Sequence, residues 1–424
     1  MTIGAEPARR LATAVESGRS AEASRRRFAS ARFAVAQGAE ATACAAVLLA
    51  VACGPLACGD APAIPVHVVS ETPAGAYEAS VAVVGDGLVA GWYDTRDGQG
   101  EIYVRALRVD GTPAGPEQRV TDTPSESYEV DLAPAGDQVG VLWYEKTGEA
   151  GYGSWLALRD AAGAEAWRVE VGPGGRIPVV AWDGEAFFCA WVVDGDVPED
   201  PSTVWAGWWA VDGSVQAAAR PVALAGRTTW NLNAAVVAPS DVWLAFDAAI
   251  GGEPEELFAA RVAPTAAVVT QLTPADGAPS KYPDVAVADG RIALVWHDER
   301  DGNQELYFAV GDDLTPALAA GARRLTDTAG NTFGAYLAWN GDRLGLGWSD
   351  ETPGQADVYF QTFDRAGEPC GDIRRITDNA TASLVPSVRA WRDGFALAWN
   401  EYTPAPEGAH AATARSQVAV ALVE

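Results

Sequence analysis

Residues 92–103 read WYDTRDGQGEIY, and the same frame returns as WHDERDGNQELY at 296–307 and as WSDETPGQADVY at 348–359. In each copy eleven positions separate the tryptophan from the tyrosine. Weaker copies hang on Trp143, Trp191, Phe246 and Trp399, so the seven anchors are spaced 48 to 55 residues apart. Self-similarity at this period marks a supersecondary unit that cannot bury its apolar face alone and stacks on its neighbours. Periods near fifty are those of propeller blades.

Each unit divides into four short strands. Strand a is an apolar run such as ASVAVV or DVAVA, and strand b carries the anchor, as in LVAGW, IALVW and LGLGW. Between them lie Asp86-Gly87, Gly136-Asp137, Asp183-Gly184, Asp289-Gly290, Asn340-Gly341 and Asp393-Gly394, pairs that accept the positive φ of a tight hairpin. Strand c carries the second aromatic, and strand d reads EQRVTDTP, RRLTDTAG or RRITDNAT. No long 3.6-period apolar stripe interrupts this pattern, so helices are expected to be nearly absent. The last unit ends at SQVAVALVE, which matches strand c, while VHVVSETP (66–73) precedes the first strand a and reads as an unattached strand d. The expected fold is all-β. Residues 66–424 form a seven-bladed β-propeller of four-stranded antiparallel blades, its ring closed by the N-terminal strand joining the last blade.

Ahead of the repeats, residues 1–53 carry seven arginines and four glutamates and end in the apolar run ATACAAVLLAVACG (41–54). That run is too short to span a bilayer and reads as the core of a secretion signal. Its end, Leu49-Ala50-Val51-Ala52-Cys53-Gly54, resembles a bacterial lipobox. The resemblance implies lipidation of Cys53, cleavage just before it, and attachment to the bacterial cell envelope, facing the periplasm or the cell surface; the alternative is a secreted protein. Residues 54–65 then form a flexible tether. The chain carries a net charge of −27, with lysine only at positions 146 and 281. Such a surface repels nucleic acid and anionic headgroups and favours cationic partners. A monomer is expected.

In a four-stranded blade the b–c and d–a connections share one face. On it fall Asp94, Asp97, Glu145, Asp298, Asp301, Asp350 and Glu401, joined by Asp122, Asp327 and Asp378, so an acidic rim is expected there. Two readings of these carboxylates stand open. In one, Asp94 and Asp298 accept backbone N–H groups in the b–c turn, Arg96 and Arg300 pair with neighbouring acids, and the Thr-Asp pairs cap turns. In the other, Asp94, Asp97 and Glu101, with their repeats Asp298, Asp301 and Glu305, coordinate calcium through hard oxygen ligands; the arginine in mid-loop argues against this. The anchor tryptophans, recurring at one position, are read as packing between blades, and Cys189 as a small core residue. In VWAGWWAV (204–211) Trp208 points away from Trp205 and Trp209, which makes it a candidate platform for a sugar ring or a partner side chain. Trp230 and Trp155 share that possibility. Asp350 and Glu401 complete the possible binding surface.

No metal-ligand spacing surrounds His67, His297 or His410, and no nucleophile elbow, phosphate loop or dinucleotide fingerprint is present. The W-x-D-x-R-D-G-x-x-[DE]-[IVL]-Y units, best developed at 92, 296 and 348, resemble those of sialidase-like (BNR-type repeat) β-propeller lipoproteins of bacteria. The resemblance covers residues 66–424 and implies Asp-box turns, six blades in true sialidases, and an arginine triad facing a Tyr–Glu pair. The sequence departs from it: DAAGAEAW (160–167) keeps only an Asp, a Gly and a Trp of an Asp box, at the wrong spacing. The family's catalytic residues therefore have no matching positions. The expected function is an envelope-anchored module that binds or scaffolds protein or glycan partners, without a catalytic constellation or a required cofactor. The alternatives are a sialidase-like glycoside hydrolase or lyase and a calcium-stabilised structural propeller.

Overall fold

The computed structural model describes residues 64–148, 151–195, 201–222, 227–403 and 415–424. Cys53, the 1–53 leader and the tether up to residue 63 lie outside the described residues. The described chain forms seven sheets of four strands, each an antiparallel meander from strand a to strand d. Blade 1 is Ala76–Val84, Gly87–Asp94, Glu101–Leu107 and Gln118–Arg119. Blade 7 takes Ala382–Trp391, Gly394–Thr403 and Arg415–Val423 from the C-terminal end and Val66–Val68 from the other, with Val66 opposite Ala421 and Val68 opposite Ala419. Two further bonds fasten the closing strand: Val69 N–H donates to the Val418 carbonyl and Val418 N–H to the Ser70 hydroxyl, both at 2.8 Å. Among the described residues one helix occurs, α1 (Pro316–Ala320), in the c–d connection of blade 5, where Thr315 Oγ1 caps the Leu318 N–H. No helix among them is long and apolar enough to cross a membrane.

The a–b hairpins form, but several are shifted by one residue from the expected pairs. Val84 pairs with Gly87 and Trp391 with Gly394, so the turns are Gly85-Asp86 and Arg392-Asp393. Gly85 and Arg392, at φ 56° and 51°, supply the left-handed conformation. Gly87 is glycine for another reason: a Cβ there would stand 2.7 Å from the Leu107 carbonyl of strand c. Close approach of backbone, rather than turn dihedrals, selects it.

Burial follows the blade boundaries. Seven apolar clusters occur among the described residues, one at each interface between neighbouring blades. Each anchor sits in one of them and is at most 2% exposed: Trp92, Trp143, Trp191, Phe246, Trp296, Trp348 and Trp399. Cys189 is buried between blades 2 and 3.

The residue after the anchor performs a second task. In most blades strand a carries a bulge, with Glu78, Glu129, Ile177, Tyr282 and Val385 at positive φ. A bulge leaves an N–H without its ladder partner. Asp247 accepts Tyr282 N–H from the next blade, Ser349 accepts Val385 N–H, both at 2.9 Å, and Asn400 accepts Ala79 N–H at 3.3 Å. Polar residues beside a buried anchor thus stitch neighbouring blades together.

Candidate functional site

Asp94 ends strand b of blade 1 and is fully buried. Its Oδ1 accepts the Thr72 hydroxyl and Arg96 N–H, both at 2.9 Å; its Oδ2 accepts the Trp92 indole at 3.2 Å and the Arg96 guanidinium at 2.5 Å. Asp298 repeats this with Ser280, Trp296 and Arg300 at 2.5 to 3.0 Å. Burial opposes ionisation of Asp298, but the bonds from Arg300, Trp296 and Ser280 outweigh it and hold the carboxyl below its ordinary range. Each arginine then lies over the strand-c tyrosine, 4.4 Å from the Tyr103 ring centre for Arg96 and 4.5 Å from Tyr307 for Arg300. The tyrosine hydroxyls donate to Asp97 at 2.5 Å and Asp301 at 2.6 Å. Burial and the bond to Asp301 push Tyr307 up to about 12.

Glu101 opens strand c opposite Asp94. Its Oε1 accepts the Gln99 amide at 2.8 Å and Arg119 at 2.9 Å, and its Oε2 accepts the Thr121 hydroxyl. Glu305 receives Asn303 and Thr328 N–H at 2.9 Å and Arg324 at 3.1 Å; Asp357 receives Arg375 at 2.5 Å and Thr377 at 3.0 Å. The side-chain amides of Gln99, Asn303 and Gln355 also grip two carbonyls each of the adjacent d–a loop. Thr121, Thr326 and Thr377 do not cap turns; they accept the N–H of Ile102, Leu306 and Val358 across the blade at 2.8 to 2.9 Å. The aspartates that follow, Asp122, Asp327 and Asp378, pair with Arg119, Arg324 and Arg375.

These contacts locate the calcium candidates. Asp94 is taken up by Thr72, Trp92 and Arg96, while Arg119 bridges Asp97 and Glu101; Asp298 likewise turns to Ser280, Trp296 and Arg300, and Arg324 bridges Asp301 and Glu305. Among the described residues no group of three or more His, Cys, Asp or Glu side chains is placed to hold a metal ion. The binding-surface candidates need correction. Trp208 is 1% exposed and donates its indole N–H to Asp183 at 3.1 Å, packed edge-on against Phe188. Alternation does turn it away from Trp209, but the opposite face of a propeller blade meets the next blade, not water. Asp350 and Glu401 are buried as well. Asp350 accepts Thr352 N–H at 2.7 Å, and Glu401 takes Trp399, Ser383 and Thr381. Trp230 lies in a blade 4 strand, its side chain outside the described residues. Exposed carboxylates occur at both ends of the strands: Asp122, Asp327 and Asp378 at one, Asp289, Asp312 and Asp342 at the other, each more than 80% exposed. The acidity is not confined to one rim.

A constellation that the motif does not contain lies on the inner strands, which touch one another in a closed ring. Asp131 of blade 2 and Arg389 of blade 7 stand 3.6 Å apart although blade 1 lies between their blades, so the pair spans the central channel. Asp131 also accepts the Ser80 hydroxyl at 3.1 Å and, at 2.9 Å, the N–H groups of Leu132 and Val180. Asp284 of blade 5 accepts Leu337 N–H at 2.7 Å. Burial pushes its carboxyl up to about 7; the Leu337 N–H and Arg389 oppose the shift, and Asp131 adds to it. Tyr336 is raised by burial and by Asp284 and Asp131. Among the described residues Arg389 is the one arginine that pairs with these acids. In the sequence these acids stand out only as departures from the repeat: Asp131 and Asp284 occupy the strand-a position held by Ser80 and Ser387.

No protein-family model matches the chain, and no curated protein matches it. Solved structures do. A puromycin-hydrolyzing peptidase of Mycobacterium tuberculosis aligns over 78% of this chain and 50% of its own, at 13% identity and a TM-score of 0.51. Phage phi92 endosialidase aligns over 85% of this chain and 69% of its own, at 9% identity and 0.50. A Dyadobacter fermentans protein of unknown function aligns over 85% and 99%, at 9% and 0.50. The chain spans about half the length of the peptidases it matches. At such identities the likeness is one of fold. The chain is a β-propeller whose fold is shared with sialidases and with the propeller portions of peptidases.

Proposed function

We propose that the chain is an envelope-anchored propeller lipoprotein that serves as a binding or scaffolding module for protein or glycan partners. One observation carries this reading: the polar residues of the repeated motif are consumed by one another. They build a rigid disc and leave its exposed loops, acidic at both ends, as the parts that face other molecules. The lipobox-like Leu49–Gly54 supports anchoring through Cys53. Expression of the full-length chain with Cys53→Ser is the test: the variant moves from the membrane to the soluble fraction and loses labelling by a fatty-acid probe. Unchanged labelling would end the lipoprotein reading. Thermal melting against calcium, EDTA, sialic acids and oligosaccharides then searches for a ligand, because anything bound only to the folded state raises the midpoint. No shift with calcium is expected.

The second reading is a sialidase-like hydrolase or lyase. It is favoured by Asp284, a buried carboxyl that keeps its proton to about pH 7 beside Arg389 and Tyr336. Glycan cleavage by the wild type that Asp284→Asn abolishes would establish it.

A further inference from the structure

Blade 4 keeps only part of the repeat. Its strands b and c are Asp241–Ile250 and Glu256–Ala263, and its strand d is Ala266–Gln271. The registers of these strands place Phe246 at the anchor, Ala248 at the Asp94 position and Phe258 at the tyrosine position. Glu256 is retained, 4% exposed, at the place of Glu101 and Glu305. Its Oε2 accepts the Thr273 hydroxyl at 2.6 Å, as the equivalent acids accept Thr121 and Thr377 in blades 1 and 6, and Thr273 accepts Leu257 N–H at 2.8 Å, as its counterparts do in blades 1, 5 and 6.

The difference lies in the other oxygen. In blade 1 the glutamate Oε1 takes N–H donors from the side-chain amide two residues earlier and from the strand-d arginine; in blade 5 Oε1 takes the same two and Thr328 N–H, and it is Oε2 that goes without a donor. In blade 4 these positions are Pro254, which has no side-chain donor, and Gln271, whose amide is committed to the Thr273 carbonyl at 2.8 Å. Glu256 Oε1 is buried and accepts no hydrogen bond. Neighbouring cations are engaged elsewhere, Lys281 with Glu255 and Glu299, and Arg300 with Asp298. Without a counter-charge, burial pushes the Glu256 carboxyl up to about 7, against the Thr273 bond.

We propose that Glu256 receives an arginine side chain from a protein partner, whose guanidinium supplies the donors that blades 1 and 5 draw from their own strand d. The inference rests on the binding-module reading and gives the partner its chemistry. Three other blades place a guanidinium against the equivalent acid, so the surrounding backbone already suits that planar group. Entry requires the Gln271 amide to turn aside. Exposed Glu253 and Asp276, within a chain of net charge −27, draw a basic segment toward this edge.

The test uses the full-length chain with hexa-arginine and hexalysine peptides at one ionic strength, read by calorimetry and thermal melting. The wild type is expected to bind hexa-arginine at least about tenfold more tightly than hexalysine. Glu256→Gln and Gln271→Arg each lose that preference, and Gln271→Arg melts higher than the wild type because the blade then carries its own guanidinium. Gln271→Arg keeps the test decisive if Glu256→Gln fails to fold. Equal hexa-arginine binding by wild type and both variants would mean attraction to the acidic surface at large and would overturn the site. A wild type that ignores hexa-arginine but responds to another ligand overturns this site and spares the binding reading; one that responds to none overturns both.

Discussion

A single aspartate per unit does most of the work in the repeated loop. Asp298 gathers the indole of Trp296, the hydroxyl of Ser280 and both the backbone and the guanidinium of Arg300. Asp298→Ala leaves all of these without their acceptor and should cost about 2 kcal/mol or more in urea unfolding. Asp301→Ala, at the wetter rim, should cost less than about 1 kcal/mol. Trp296→Ala opens a large space between blades 4 and 5, and about 3–5 kcal/mol is expected. In the channel, Asp284 gives stability a pH dependence of definite sign. The folded carboxyl holds its proton to about 7, whereas an unfolded one ionises near 4. Between those values the folded chain binds the extra proton, so this contribution is complete below about pH 4 and is lost as pH rises through 7. Asp284→Asn should therefore melt above the wild type at pH 8 and show no such gain at pH 4, as thermal scans at the two values would reveal.

The strand pairs and loops show how little of a repeat has to be kept. Asn303 is one methylene shorter than Gln99 and Gln355, yet each of the three clasps the next d–a loop by two carbonyls. Asn303→Ala releases Thr328 O, Gly330 O and Glu305 Oε1 together. A loss of about 1–3 kcal/mol is expected, with faster hydrogen exchange confined to residues 326–332. The hairpins make a sharper contrast. Gly85 has a positive φ but open space around its missing Cβ, so Gly85→Asn should be nearly neutral. Gly394 has its Cβ direction blocked by the Val423 carbonyl, and Gly394→Ala should destabilise by about 1–3 kcal/mol. Equal effects in denaturant unfolding would contradict the distinction between turn dihedral and close approach.

At the scale of the molecule, closure is the decisive feature. Val66–Val68 covers the outer edge of Arg415–Val423, which would otherwise present an unpaired strand. A chain lacking residues 64–70 should melt lower and aggregate on heating, with blade 7 losing hydrogen-exchange protection before the rest. The blade number, the strand order, the closing strand and the burial of the anchors were all legible in the sequence. Each is written in residue type at a fixed period, and a period survives translation along the chain. The turns were legible only to within one residue, because a glycine before strand b serves either a dihedral or a neighbouring carbonyl, and the sequence does not separate the two. Trp208, Asp350 and Glu401 read as surface because strand alternation contrasts one face with the other, whereas in a ring both faces of every blade are interior. Asp131 and Asp284, and the Pro254 and Gln271 that leave Glu256 without donors, are marked in the sequence only as departures from the repeat; that the first two meet Tyr336 and Arg389, and that the Glu256 oxygen stays undonated, belongs to the tertiary structure. They arise where residues from blades far apart in sequence converge on one axis, or where a blade omits a partner that others carry. The local pattern determined what each blade is, and only the assembled ring decided which polar groups were left to meet across it.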